Sequence, residues 1–352
     1  MYKLNEKAAS LTAYQPVDAG NCVRLDANES FLNMPPEILG RALAHITAAD
    51  FNRYPDPAAG ELCRAFAAYY GLDPAGVVAG NGSDELISVI FQAFLLGGQA
   101  FATLEPDFSM YAHAGKLCEA RHVAIGKRKD FSIDVEEVIR ICTQEDVKLL
   151  IFSNPCNPTS IVLGREEVRR LVSAVEALVV LDEAYMDFAD ESLLDEVGKY
   201  DNLIILRTCS KAIGMAALRL GFAVAGEKLA GVLRAAKSPY NVNAVSQLMG
   251  AAMLRDRSAL EERLEQILAS RWELLAGLEA LLVKRPGAFV VLPCQANFAA
   301  LVMEEPAAAQ QKLLSQGVAV RCTGGLLRVT CGAPEENRLF LEKFEKVLEE
   351  MP

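Results

Sequence analysis

Histidine is scarce, with 3 in 352 residues, and none of the nine cysteines, at positions 22, 63, 118, 142, 156, 209, 294, 322 and 331, has a neighbour at C-x-x-C spacing. So few imidazoles and no paired thiols disfavour a structural zinc site. An odd, scattered cysteine set reads as reduced thiols in a core rather than a disulfide framework. A basic excess is also missing: 35 Lys and Arg against 46 Asp and Glu leave a net charge of −11, which repels nucleic acid and anionic lipid. No long apolar run is present either. The longest uncharged stretch, 86–104, is interrupted by Gln92, Gly97, Gly98 and Gln99 and reads as a buried helix, a turn and a strand rather than a membrane span. Residues 1–10 mix Lys3, Glu6 and Lys7 without an apolar h-region. The expectation is a cytoplasmic protein with no membrane and no nucleic-acid partner. What is present is ordinary for a globular chain, 52% hydrophobic and 23% charged residues, at a length suited to about two domains.

Short apolar runs alternate with helical patterns through most of the chain, the signature of βαβ units and a largely parallel sheet. Strands are expected at 148–153 (KLLIFS), 178–182 (LVVLD) and 202–207 (NLIILR), with a helix over 165–177 whose Val168, Leu171, Val172 and Val175 share one face. From about residue 240 the pattern changes. A long amphipathic helical region, 245–283, leads to strand-like segments at 289–292, 297–302, 318–322 and 326–330, a helix around 307–316, and a last helix with Pro334 in its first turn.

In an open parallel sheet, ligands bind beyond the carboxyl ends of the strands. The polar residues there are Asn157, Asp182, Tyr185 and Lys211. A carboxylate ending a strand is often only a cap, and a loop lysine is usually solvated. However, the stretch 207–226 carries no charge besides Arg207, Lys211 and Arg219, which points Lys211 at a pocket wall. A desolvated lysine beside cations is a nucleophile suited to a Schiff base. Pyridoxal phosphate further needs a carboxylate at its ring nitrogen and donors to its phenolate oxygen, roles open to Asp182 and to Asn157 and Tyr185. Its phosphate needs N–H groups at a helix start. The turn Asn81-Gly82-Ser83-Asp84 between a strand-like run and a helix offers them, with Thr208, Ser210 and Arg219 as added donors.

Spacing alone yields one more expectation. If Gly324-Gly325 is a two-residue hairpin turn, Arg321 lies directly opposite Arg328. Two guanidiniums roughly 5 Å apart at Cβ repel, so such a pair makes sense as an anion clamp.

The ordered motifs LTAYQP (11–16), LDANES (25–30), NRYPDP (52–57), NGSDE (81–85), PDFSMY (106–111), NPCNPTS (154–160), DEAYMDF (182–188), RTCSKAIGMAALRLGF (207–222), PYNVN (239–243), NF (297–298), GVAVR (317–321) and LRVTCG (327–332) resemble the fold-type I, class I/II pyridoxal-phosphate aminotransferases, and within them the histidinol-phosphate branch. The resemblance implies an α/β fold, with a large cofactor-binding domain over 31–240 and a smaller α+β domain built from 1–30 and 241–352. It implies that Lys211 carries pyridoxal 5′-phosphate and moves the proton, that Asp182 holds the ring nitrogen, that Asn157 and Tyr185 bind the phenolate oxygen and that Tyr111 stacks on the ring. It places the cofactor phosphate against Ser83, Asp84, Thr208, Ser210 and Arg219, with Tyr54 reaching in from the second subunit of a homodimer. Tyr14, Arg321 and Arg328 would hold the substrate phosphate or carboxylate. The implied substrates are glutamate and a phosphorylated keto compound. An aromatic amino-acid aminotransferase, a threonine-phosphate decarboxylase and a non-catalytic cofactor sensor are the alternatives. The chain departs from the family pattern at Cys156 and Ser160, where Asn and Gly are usual, at 215–217, and in the short 321–328 connection.

Overall fold

The three expected apolar runs form adjacent parallel strands, Val147–Ser153, Leu178–Asp182 and Leu203–Thr208, in a computed structural model that describes residues 2–13, 17–47 and 49–351. They are central in a seven-stranded sheet whose order is Val77–Asn81, Leu220–Ala225, Leu203–Thr208, Leu178–Asp182, Val147–Ser153, Ala100–Glu105, Arg121–Gly126. Only Leu220–Ala225 runs antiparallel to its neighbours. Both faces of this sheet are covered, one by Gly60–Tyr70, Val135–Gln144 and Arg165–Ala174, the other by Ser83–Phe94, Met110–Leu117 and Glu227–Ala236. Burial on both sides explains why the central strands are continuous apolar runs without alternation.

A second core gathers Leu274, Leu278, Leu301, Leu313, Leu327, Phe340 and Phe344 around a four-stranded antiparallel sheet ordered Arg321–Thr323, Leu326–Thr330, Phe298–Val302, Val290–Val291. The N-terminal segment joins it: Val23–Arg24 pairs in parallel with Val318–Ala319, and Leu25 enters the same core. The stretch 318–322, expected as one strand, therefore serves two sheets, changing partners at Val320. The long helical region is likewise two helices, Ala244–Leu254 and Arg257–Lys284. Asp256 breaks it, because its carboxylate caps the second helix at Ala259 N–H (3.3 Å). The first of the two packs with the larger core through Ala251, Met253 and Leu254. The helix expected over 165–177 ends at Ala174, where Val175 turns extended to feed the next strand.

The hairpin register is the one that spacing gave: Arg321 pairs Arg328, Cys322 pairs Leu327 and Thr323 pairs Leu326. Gly324 and Gly325 both have positive φ, +58° and +74°, as a type I′ turn demands. Among the described residues, no helix is long and apolar enough to cross a membrane.

Candidate active site

Three strands of the large sheet end at one place. Ser153, Asp182 and Thr208 are their last residues, and the loops that follow carry Asn157, Tyr185, Ser210 and Lys211. The hairpin of the small sheet closes this place from above. Every site residue expected from sequence lines the resulting cavity of about 410 Å³, except Tyr54 and Tyr14. Tyr54 is 81% exposed and stacks on Tyr240 at 4.5 Å. Tyr14 lies outside the described residues.

At one end of the cavity the helix Ser83–Phe94 starts behind Gly82, with no side chain capping it. Its first N–H groups are thus available to an anion. Two glycines make this possible. Gly82 holds φ +84°, and a Cβ there would meet Arg219 Nη2 at 2.7 Å; a Cβ on Gly221 would meet the Ser83 nitrogen at 2.3 Å. Arg219, itself at φ +50°, donates to Asp84 (3.1 Å) and to Ser210 Oγ (3.5 Å), and Thr208 Oγ1 donates to Ser210 Oγ (3.0 Å). Hydroxyls, a guanidinium and helix N–H groups around one end form a donor set that fits a phosphate.

Asp182 lies deep in the cavity. Its Oδ1 accepts from Ala184 N–H (3.1 Å) and its Oδ2 from the Tyr111 hydroxyl (2.8 Å). Burial nevertheless pushes its carboxyl up to about 7. Among the described residues no cation forms an ion pair with this buried carboxylate, which suits a ligand that brings a positive N–H. Because this pKa lies above the 3.8 of an unburied aspartate, the carboxyl binds more protons in the folded than in the unfolded chain, and its contribution to stability is lost as pH rises through about 7. Asp182→Asn is therefore expected to raise the melting temperature of the cofactor-free protein, by more at pH 8 than at pH 5. Thermal unfolding at both pH values checks this; a wild type that is more stable than the variant at pH 8 would contradict it.

Lys211 Nζ donates to the Ala27 carbonyl (2.9 Å) and sits 5.7 Å from the centre of the Tyr185 ring. The Tyr185 hydroxyl accepts from Asn28 Nδ2 (2.9 Å), so its own proton is directed elsewhere. Arg328, buried, donates to Asn157 Oδ1 (2.6 Å) and to the Asp26 carbonyl (2.6 Å). That leaves the Asn157 amide Nδ2 as a donor to the cavity. Arg321 lines the same cavity, so the two arginines share a face as the clamp requires.

Sequence reasoning gave no role to several residues in this wall. Asn28, buried at φ +55°, is bonded to Tyr185, Thr330 and Asn297. Asp107, pushed up to about 6 by burial, is bonded to Ser153 and lies 3.9 Å from Lys127. Arg24 also lines the cavity, 3.2 Å from Asp26. The motifs LDANES and PDFSMY contain Asn28 and Asp107, but nothing local marks either as a wall residue. Among the described residues no cluster of side chains could hold a metal ion.

A family model described as aminotransferase class I and II matches residues 20–344. Curated relatives include a histidinol-phosphate aminotransferase of Clostridium novyi, 37% identical over 332 residues and 92% of each chain, and histidinol-phosphate aminotransferase 1 of Carboxydothermus hydrogenoformans, 36% identical over 97% of this chain and 98% of that one. The histidinol-phosphate aminotransferase of Sinorhizobium meliloti, solved with pyridoxal-5′-phosphate, superposes with a TM-score of 0.90 at 23% identity, covering 100% of this chain and 99% of that one. Aspartate aminotransferase of Thermus thermophilus with maleate gives 0.84 at 22% identity, covering 99% and 100%. At such identities both share the fold, and the fold alone does not choose between their substrates.

Proposed function

The chain belongs to the class I and II aminotransferase family, and from that premise we propose that it transfers an amine from glutamate to a phosphorylated imidazole ketone, giving histidinol phosphate and 2-oxoglutarate. The observation that carries this reading is the register pair Arg321 and Arg328 on the wall of the cavity that Lys211 enters. Two guanidiniums suit a phosphate in one half-reaction and a carboxylate in the other. The curated relatives named for this activity support it across nearly the whole chain.

The residues present fit pyridoxal 5′-phosphate, which when bound supplies an electron sink for the pair released as a Cα–H bond breaks. In this reading Lys211 would hold the cofactor covalently, and its amine would serve as the base and acid that moves the substrate Cα proton. Asp182 would keep the ring nitrogen protonated, a positive partner that offsets the cost of its burial. Asn157 and Tyr185 would donate to the phenolate oxygen, and Tyr111, whose hydroxyl holds Asp182, would form the wall for the ring. Ser83, Asp84, Thr208, Ser210 and Arg219 surround the cofactor phosphate. The exposed Tyr54, outside its own cavity, reaches a second copy's cavity in a homodimer. The role of substrate binding that the resemblance gives Tyr14 remains part of this proposal. We assign the cofactor domain to 31–240 and the smaller domain to 1–30 and 241–352; the separate core around Leu301 and Phe344 supports a second domain, whereas Ala251, Met253 and Leu254 pack in the larger core. The reaction is placed in the cytoplasm.

The test is amine transfer from glutamate to imidazole acetol phosphate against phenylpyruvate. Specificity constants about a hundredfold in favour of the phosphorylated ketone are expected, since a phosphate gains charge-assisted hydrogen bonds from two guanidiniums on the cavity wall that the phenyl ring of phenylpyruvate cannot make. Equal or better turnover of phenylpyruvate overturns the substrate assignment.

A further inference from the structure

The loop that carries Asn157 is closed by hydrogen bonds from Ser160 N–H to the Cys156 carbonyl (2.7 Å) and from Cys156 N–H to the Ile161 carbonyl (2.9 Å). Ser160 is fully buried and sits at φ +64°, a conformation that costs a residue with a Cβ about 1 kcal/mol or more and a glycine almost nothing. Its side chain offsets that strain. The hydroxyl oxygen accepts from Gln295 N–H and from Ala296 N–H, both at 2.8 Å. Gln295 N–H has a second acceptor in the Ser160 carbonyl (3.2 Å), whereas Ala296 is buried and its N–H has Ser160 Oγ as its partner among the described residues.

The segment reached in this way leads directly into the small sheet. Residues 294–297 precede the strand Phe298–Val302, which pairs with Leu326–Thr330 so that Ala300 faces Arg328. Cys331 N–H donates to the Asn297 carbonyl (2.8 Å) and Arg271 to that of Ala296 (3.3 Å), binding the segment to the small-sheet side. Two rungs thus join the same two bodies: Arg328 to Asn157, inside the cavity, and residues 295–296 to Ser160, three residues along the same closed loop.

We propose that Ser160 is a positioning residue: its hydroxyl ties the Asn157 loop to the segment leading into the small sheet and sets the spacing at which Arg328 meets Asn157. A glycine at this position, usual in the family, accommodates the backbone but cannot make the tie. The consequence for substrate binding rests on the reading of Arg328 given above, while the tie itself does not.

Ser160→Gly is the informative variant, because relief of the positive-φ strain counters the lost hydrogen bonds and keeps the chain folded. Hydrogen exchange on the full-length protein should become about tenfold faster at Ala296 N–H, with global stability little changed. In the holoenzyme, KM for both glutamate and the acceptor should rise about tenfold with kcat within about twofold, the signature of a lost uniform binding contribution. Unchanged exchange at Ala296 overturns the tie. Faster exchange with unchanged KM, or a fall in kcat alone, overturns the positioning role. If the wild type transfers no amine, the proposed function falls, and exchange at Ala296 still decides whether Ser160 makes the tie.

Discussion

Replacing Lys211 by alanine is expected to lower amine transfer at least about ten-thousand-fold while leaving the fold intact. Two kinds of catalysis vanish together: the covalent attachment that prepares the cofactor, and the proton transfer, which as general acid–base catalysis is alone worth about a hundredfold to ten-thousand-fold. The structural loss is small by comparison. Lys211 Nζ makes one hydrogen bond to a backbone carbonyl, that of Ala27 (2.9 Å), a contact worth about 1 kcal/mol. The melting temperature should therefore move by only a few degrees. The absorbance of added pyridoxal phosphate should then remain that of the free aldehyde. Lys211→Arg separates charge from chemistry, since a guanidinium stays protonated and restores the cation without the nucleophile. It should be as inactive as the alanine variant. Residual turnover above about one per cent in either variant would remove Lys211 from the centre of the reaction.

Much of this site was legible because its signals are local. Asp182 ends an apolar run, Ser83 follows a glycine at the start of a helix, and the Arg321–Arg328 register follows from two consecutive glycines. Each conclusion needs only a few neighbouring residues and a period. The supports behind these residues depend instead on pairings far apart in sequence. Asn28 meets Tyr185 across 157 positions and Asn157 meets Arg328 across 171. The Tyr111 hydroxyl reaches Asp182 across 71, and no feature of PDFSMY announces it. Ser160 was visible as a departure from the family pattern, but its meaning depended on the positive φ of that turn and on which backbone approached it. The region 245–283 is helical as expected, but its break into two helices was not legible, for a related reason. Its apolar spacing continues past Asp256, and the break comes from a cap that outweighs the period. Arg207 was given no role from sequence, and it sits in a buried ion network with Glu183 and Asp187, both distant from it in the chain.

That network supports the second large effect. Arg207 has a side chain 5% exposed and donates to Asp187 (2.7 Å), to Ser192 Oγ (3.1 Å) and, at 2.9 Å, to Glu183, which is wholly buried. Tyr70 lies 5.0 Å beneath the guanidinium and its hydroxyl also donates to Asp187 (2.8 Å). Arg207→Ala leaves two carboxylates without their cation, and removing one member of such a buried pair costs about 3–5 kcal/mol. Burial already pushes Glu183 up against the pull of Arg207, so in the variant its carboxyl is raised further. The sign follows from linkage: a raised carboxyl binds protons more readily in the folded chain, so the variant regains stability as pH falls through that raised value. Chemical denaturation should thus show a gap between wild type and Arg207→Ala that narrows from pH 8 to pH 5. Glu183→Gln keeps the shape, the hydrogen bond from Leu193 N–H (3.2 Å) and the pairing of Arg207 with Asp187, and should lose less. The double variant Arg207→Met, Glu183→Met should recover part of the loss, because apolar side chains of similar size need no counterion. Asp187 limits that recovery. Because Glu183 directly follows Asp182, movement of this strand end also displaces the carboxylate at the floor of the cavity. Any active fraction of Arg207→Ala should accordingly bind pyridoxal phosphate more weakly than wild type. A stability loss below about 1 kcal/mol, or a gap that widens as pH falls, would show that the cluster is not held by its charges.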